Sequence, residues 1–288
     1  MEAGLALFRR PKPSTDIPVV GAVRFSVLMQ EAAEFRLSRG ASFEERRAIL
    51  FDPERLELRF RIFEAVTLPS ALAQPSEAFS LLVASSTELP EPFRTRLNDL
   101  LAPHPNVHLI EVAPDQPLPA QTRQALDRMH PDAARMAVLR LDDDDGLASY
   151  FTEDLIRAIK QWDRGQDMAF SFPLGHLLGL PEDPGQLLLH KMHHNYAIAC
   201  GLTLLTTKGH RRSIFELGWP HRMIDRALPT LSESKRPAYI LVSHATNDTG
   251  TESIRWNRLR KCKLIPPAEA RKALGREFGH LDLDALAS

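Results

Sequence analysis

Cysteine is almost missing from this sequence of 288 residues, which holds only Cys200 and Cys262. The two stand far apart in unrelated surroundings, so a disulfide framework and a cysteine-based zinc motif are both excluded, and a reducing compartment fits. Long apolar runs are missing as well. No stretch approaches the roughly 20 apolar residues that span a bilayer. Residues 1–10 contain Glu2 and end in Arg9-Arg10, too brief an apolar run for a signal peptide. A cytoplasmic protein is expected. Charge of one sign is also absent: 36 basic residues against 37 acidic ones leave a formal net charge of -1. Without a long-range field there is no general attraction for nucleic acid or anionic lipid, and any anion must be held locally. Nucleic acid is not an expected partner.

Hydrophobic residues make up 43% and charged residues 25%, the balance of an ordinary globular protein. The length suffices for one large core, or for one domain with an added subdomain. Residues 11–18 are rich in proline and read as an extended lead-in. The apolar run 19–23 reads as a first strand that delivers Arg24 to its C-terminal end, where a guanidinium suits a diphosphate or a base edge. Leu56, Phe60 and Phe63 then recur at spacings of four and three, which places them on one face of a helix. Pro69 is expected to interrupt that helix.

Residues 79–84 form a second strand, nearly all apolar and so buried on both faces, ending in Ser85-Ser86-Thr87. A helix over 91–101, a third strand over 106–112 and a helix over 121–129 lead to a fourth strand at 136–139. Beyond it, Thr152-Glu153-Asp154 starts a helix whose buried face is Leu155, Ile156, Ile159 and Trp162. This alternation argues for a parallel sheet with helices on its faces. In the second half, 168–172, 202–206 and 239–242 read as strands, 187–200 as β-like pieces, and 223–228 as helical.

The fourth strand delivers Leu141-Asp142-Asp143-Asp144-Asp145-Gly146. Four adjacent carboxylates repel one another, and setting them at the end of a buried strand is expensive unless a cation or donor groups absorb the charge. With Gly146 expected to let the chain turn, hard oxygen ligands arrive at the C-terminal edge of the sheet, where open α/β sheets bind their ligands. Magnesium or manganese together with phosphate suits such an edge. A calcium loop of the EF-hand kind fails, because counting back from Gly146 puts Leu141 at its first position. A D-x-D-x-T/V phosphatase motif fails for want of the Thr or Val. A merely solvated acidic turn would not need the apolar strand before it.

His190, His193 and His194 have spacings that share a helix face, but no carboxylate or cysteine completes a metal set and the segment is not helical throughout. The basic stretch 255–263 suits a peripheral membrane contact or a phosphate-bearing acceptor, and more commonly such a stretch is a solvated helix face. Trp219 suits stacking on a sugar ring or a place in the core.

Several pieces taken together resemble the GT-A superfamily of nucleotide-sugar-dependent glycosyltransferases and, within it, the putative rhamnosyltransferase family of bacteria. They are Arg24-Phe25, Phe63-Glu64, Thr67-Leu68-Pro69-Ser70 with Gln74, Arg140-Leu141 with the four acids, and Ser243-His244 with Asn247. The resemblance implies an α/β fold, GT-A-like and Rossmann-like, with a mixed, mainly parallel sheet and helices on both faces. It implies a lead-in over 1–18, a catalytic domain over 19–250 with a nucleotide-binding half (19–165) and an acceptor half (166–250), and a basic and helical extension over 251–288.

The activity implied is a metal-dependent transfer of a hexosyl or deoxyhexosyl group from a UDP- or dTDP-linked donor to a hydroxyl of a carbohydrate, lipid or protein. A divalent metal, manganese or magnesium, would neutralise the charge that develops on the leaving diphosphate. By resemblance Asp142, Asp144 and His244 hold that metal, while Arg24, Ser85, Ser86, Asp142 and Asp143 meet the nucleotide. Asp143 and Asp145 would alternate away from the metal or assist it. Related enzymes carry an acidic pair as catalytic base, and the matching region here lacks it, which leaves Glu216, Asp225 and His221 as candidates and the stereochemistry open. Two other readings stand beside this one. A sugar nucleotidyltransferase would need a glycine-rich phosphate loop that Gly21-Ala22-Val23-Arg24-Phe25 does not supply, and a non-catalytic carbohydrate-binding protein would have no need for the crowded acids.

Overall fold

The computed structural model describes residues 17–30, 40–75, 77–180, 188–193, 197–209, 211–216, 221–244, 247 and 262–287. Its larger sheet begins with the expected parallel strands: β1 (Val19–Phe25), β2 (Phe79–Ser86), β3 (Val107–Val112) and β4 (Arg135–Asp142). After β4 the chain forms the short β5 (Asp145–Leu147), then β6 (Met168–Ser171), β7 (Leu174–Gly179), β8 (Leu188–His193) and β9 (Thr203–Thr207). The last strands are β10 (Thr230–Ser232), β11 (Tyr239–Ser243) and β12 (Lys263–Leu264). Seven strands run in the order β10-β6-β9-β4-β1-β2-β3, and β9 alone lies antiparallel to its neighbours β4 and β6. The sheet is thus mixed and mainly parallel.

Period-two alternation decides what covers each face. Val19, Val23 and Phe25 of β1 with Phe79, Leu81 and Val83 of β2 form one core with Leu56, Phe60 and Phe63, Leu97 and Leu155. Those partners lie on or next to α2 (Pro53–Ile62), α4 (Phe93–Leu101) and α6 (Phe151–Trp162). Val20, Ala22 and Leu82 point the other way, to Ala125 and Leu126 of α5 (Leu118–Met129). Helices therefore cover both faces. Ser42 caps the start of α1 (Phe43–Leu50) and Asp52 that of α2, each accepting a hydrogen bond from the backbone N–H three residues on.

Pro69 does not break its helix. After α2 the backbone widens into a π turn, Phe63–Thr67, and resumes as α3 (Leu68–Leu72) with Pro69 in its first turn, where a missing N–H is harmless. The carbonyl of Ala65, four residues before the proline, instead accepts a hydrogen bond of 3.0 Å from the N–H of Asp282. Trp162 also departs from the helical pattern. The buried stripe of α6 is Phe151, Leu155, Ala158 and Ile159, whereas Trp162 is the last helical residue, 45% exposed, and Asp163 after it is already extended.

The sequence pattern did not announce the second sheet, five strands in the order β12-β8-β7-β11-β5. Its short strands take apolar runs interrupted by His176, His190 and Lys191, so they carry no clean alternation. The helices α7 (Pro267–Glu277) and α8 (Leu283–Ala287) supply Ala270, Leu274 and Leu286 to the core cluster that contains β7, β8 and β11 residues and the π turn's Val66. Gly146 belongs to this sheet. It has no positive φ and makes no turn; its missing Cβ admits Val66 and Ile240, which an added carbon would meet at 2.9 and 3.0 Å.

Candidate active site

β4 brings Leu139 and Leu141 into the core and ends on Asp142, which the parallel ladder pairs with Arg24 of β1. The chain then turns through Asp143 and Asp144 and enters the second sheet as β5, where Asp145 pairs with Leu241 of β11. Asp142 thus closes one sheet and Asp145 opens the other. Because a turn at Asp143 and Asp144 interrupts the strand, alternation does not carry through the four acids, and Asp143 and Asp145 do not point away: both are buried and border the same cleft as Asp142 and Asp144.

So much buried negative charge demands partners, and arginines supply them. Arg140 lies two residues before Asp142, hence on the same side of β4, and donates to both its carboxylate oxygens at 3.1 and 3.0 Å; Arg24 approaches to 3.6 Å. Arg59 of α2 is 8% exposed. Its fork donates to both oxygens of Asp143 and, through Nη1, to Oδ2 of Asp144 at 2.6 Å. His244 Nε2 lies 3.0 Å from that same oxygen and 3.2 Å from Nη1 of Arg59. The Asn247 amide donates to Asp144 at 2.9 Å while its carbonyl accepts from the His244 backbone N–H at 2.6 Å. Edge-to-face contacts of Phe60 and Phe63 with Phe25, at 4.7 and 5.3 Å, fix α2 against β1 and contribute roughly 0.5–1.5 kcal/mol each beyond their burial. That packing aims Arg59.

The environments push the acids apart. Burial raises the Asp143 carboxyl to about 6 even with Arg59 beside it. Burial would raise Asp144 too, yet Arg59 and His244 hold it below the ordinary carboxylate range. Asp145 is pushed well up, first by burial and then by Asp144 and Asp142. Asp142 is lowered: Arg140 and Arg24 outweigh its burial. Burial keeps the His244 imidazole below its usual value against the pull of Asp144, and burial next to the acids raises the Cys200 thiol, so this cysteine is an inert wall.

A cleft of about 280 Å³ opens at this junction, bordered by the four aspartates, Arg24, Arg55, Arg59, Arg140, His221, Ser243 and Asn247. Of the residues expected from the sequence, Arg24, Asp142, Asp143, Asp144 and His221 border it, and His244 touches Asp144 from behind. Ser85 and Ser86 do not border it; both are buried at the end of β2, where Ser86 Oγ accepts from the Glu88 N–H at 3.1 Å. Glu216 is an exposed partner of Arg123, and Asp225 is exposed on a 3-10 turn, His221–Arg226. His190 is buried apart from the cleft and His193 lies 3.3 Å from Ser234. His194, Trp219 and all of the basic stretch up to Lys261 lie outside the described residues.

The hard oxygen and nitrogen donors here are of a kind magnesium or manganese accepts, but their arrangement does not fit one. Asp142 is engaged by Arg140, while Asp144 and His244 are engaged by each other and both by Arg59 Nη1. Among the described residues no group of three or more His, Cys, Asp or Glu is arranged to hold a metal ion. The sequence reading overlooked Arg59, and it gave Arg140 no role although Arg140 stands among the resembling residues. Each left a signal: Arg59 interrupts the apolar face of Leu56, Phe60 and Phe63, and Arg140 interrupts a buried strand. A cation in such a place implies a carboxylate.

Comparison with solved structures gives distant likenesses. Residues 1–349 of TarS from S. aureus, also solved with UDP, align at 9% identity and TM-scores of 0.43 and 0.44. The alignments cover 78 and 79% of this chain and 60 and 61% of TarS 1–349, so the chain spans about three-fifths of that structure's length. The mannosyltransferase PcManGT from Pyrobaculum calidifontis, solved with GDP-Man and Mn2+, aligns at 12% identity and a TM-score of 0.42 over 88% of this chain and 64% of that one. A protein from Desulfovibrio desulfuricans G20 described as a "putative nucleotide-diphospho-sugar transferase" aligns at 8% identity and a TM-score of 0.38, over 95% of this chain and 94% of that one. No curated protein matches the sequence. No helix among the described residues is long and apolar enough to cross a membrane. A family model described as "Putative rhamnosyl transferase" matches residues 18–255, most of the chain, and this protein belongs to that family of glycosyltransferases.

Proposed function

We propose that the protein transfers a sugar from a nucleoside-diphosphate donor to a hydroxyl acceptor, with the donor's diphosphate in the cleft between the two sheets. The observation that carries this reading is the meeting of Arg24, Arg55, Arg59 and Arg140 with the four aspartates at the C-terminal edge of parallel strands. That edge is where open α/β sheets bind nucleotides. As the bond between the anomeric carbon and the diphosphate oxygen breaks, negative charge builds on the leaving group. Guanidinium donors fixed by β1, α2 and β4 stabilise it without reorganising. Of the three candidates for the acceptor's proton, His221 borders the cleft, and the reading assigns it that role. UDP and dTDP donors and a carbohydrate or lipid-linked acceptor are the substrates to examine first.

A second reading keeps a manganese or magnesium ion on Asp142, Asp144 and His244, favoured by their hard donor atoms. It requires Arg59 to leave its seat on Asp144. Thermal stabilisation by UDP, dTDP and GDP, followed by calorimetry of the best of them, tests the proposal. On the metal reading, Asp144→Asn is expected to abolish manganese-dependent binding and hydrolysis of the donor sugar. A protein that binds none of these nucleotides, with or without manganese, is not a transferase of this kind.

A further inference from the structure

We infer that Arg59 is the resident cation of the acid cluster, and that this cleft binds a nucleoside diphosphate without a divalent metal. The inference rests on the nucleotide reading above and adds to it the means by which charge is balanced. Three observations carry it. First, position: Nη1 of Arg59 lies 2.6 Å from Asp144 Oδ2 and 3.2 Å from His244 Nε2, which are themselves 3.0 Å apart. The guanidinium nitrogen thus contacts both a carboxylate oxygen and an imidazole nitrogen that already touch each other, the two atoms a metal ion here would need. Second, attachment: the same guanidinium bonds Asp143 through its other two nitrogens, so leaving would break two ion pairs at once. Third, burial: Arg59 is 8% exposed and is carried by a helix whose Phe60 packs on Phe25 of β1, which holds its backbone beside the acids.

The charge count in the cleft agrees. Four arginines border it with four aspartates, two of which, Asp143 and Asp145, burial drives toward the neutral form, so the cleft carries no excess of negative charge before any ligand arrives. A diphosphate then meets several guanidinium forks on its wall, and Arg binds phosphate oxygens in pairs. Removing Arg59 would leave Asp143 and Asp144 facing that anion without the guanidinium that touches them, Arg55 being the remaining α2 arginine that borders the cleft. Under those conditions a divalent ion becomes the remedy, since two carboxylates with a nearby imidazole and amide are acceptable ligands. Arg59 is therefore a positioning residue for the acids as well as a source of charge.

The test is calorimetry on the full chain with UDP, dTDP and GDP, in EDTA and again with manganese, together with titration of manganese alone. For the nucleotide that binds best, the wild-type Kd is expected to change by less than about threefold between the two conditions. Manganese alone is expected to give no heat with wild type. Arg59→Met should lose at least about tenfold in EDTA and regain most of it with manganese, while Arg59→Lys, which keeps the charge, should stay metal-independent. Should Arg59→Met fail to fold, the wild-type and Arg59→Lys measurements decide alone. Binding by wild type only with manganese overturns the inference and leaves the nucleotide reading standing. Binding of no nucleotide under either condition overturns both.

Discussion

Gly146→Ala is a small change whose consequence the structure makes large. The added carbon would lie 2.9 Å from Val66 Cγ1, 3.0 Å from Ile240 Cγ2 and 3.5 Å from Ser70 Cβ. Val66 and Ile240 are fully buried and β-branched, so neither methyl can rotate out of the way cheaply. Overpacking of this kind costs about 1–3 kcal/mol. Replacing glycine by alanine restricts the unfolded chain and returns roughly 0.4–1 kcal/mol where the backbone permits it. The expected net loss is about 1–2 kcal/mol, read as a lower urea midpoint with an unchanged slope. Val66→Ala removes the first obstructing methyl. Alone it should destabilise by about 2 kcal/mol, but combined with Gly146→Ala the total should fall short of additivity by about 1 kcal/mol. Because Asp145 adjoins Gly146, the single variant should also bind nucleotide more weakly, and Val66→Ala should restore part of that binding. A Gly146→Ala protein as stable as wild type, or strictly additive losses, would refute the claim that close approach holds glycine here.

Other outcomes follow from the same coordinates. His176 and Arg276 hold the Glu277 carboxyl below its ordinary value although burial works against them. Its stabilising contribution is therefore complete above the unfolded value of 4.5 and is lost as pH falls through the lower folded one; proteolysis within α7 should accelerate as pH falls below 4.5. A flat pH profile would disprove that. Asp282→Pro removes the N–H that satisfies the Ala65 carbonyl and should cost about 1–3 kcal/mol. Asp282→Ala keeps that N–H and loses only the bond to the Ala285 N–H, about 1 kcal/mol or less in urea unfolding. Glu216→Gln and Asp225→Asn, both outside the cleft, should leave kcat/KM for donor turnover within about twofold, whereas His221→Ala should lower it at least about tenfold.

The first half of the fold was legible because its strands are continuous apolar runs between amphipathic helices, a pattern that buries both faces of a parallel sheet. Apolar spacing likewise placed Leu56, Phe60 and Phe63 on one face. The second sheet was not legible. Its strands are short, include His176, His190 and Lys191, and, apart from the β7–β8 pair, join segments far away in the chain, so no local periodicity reports them. Pro69 misled for a related reason: whether a proline ends a helix depends on who satisfies the carbonyl it frees, and here that partner comes from residue 282.

The sequence by itself determined that four carboxylates would be gathered at the end of a buried strand and that something must balance them, since adjacent buried charges cannot stand alone. Tertiary structure decided what balances them. Arg59 stands more than 80 positions before the acids and His244 about 100 after Asp144, so only the packing of α2 on β1 and of β11 beside β5 could bring a guanidinium and an imidazole to one aspartate. Side-chain identity sets how much charge a site must handle. The neighbours that share that charge are set by the fold.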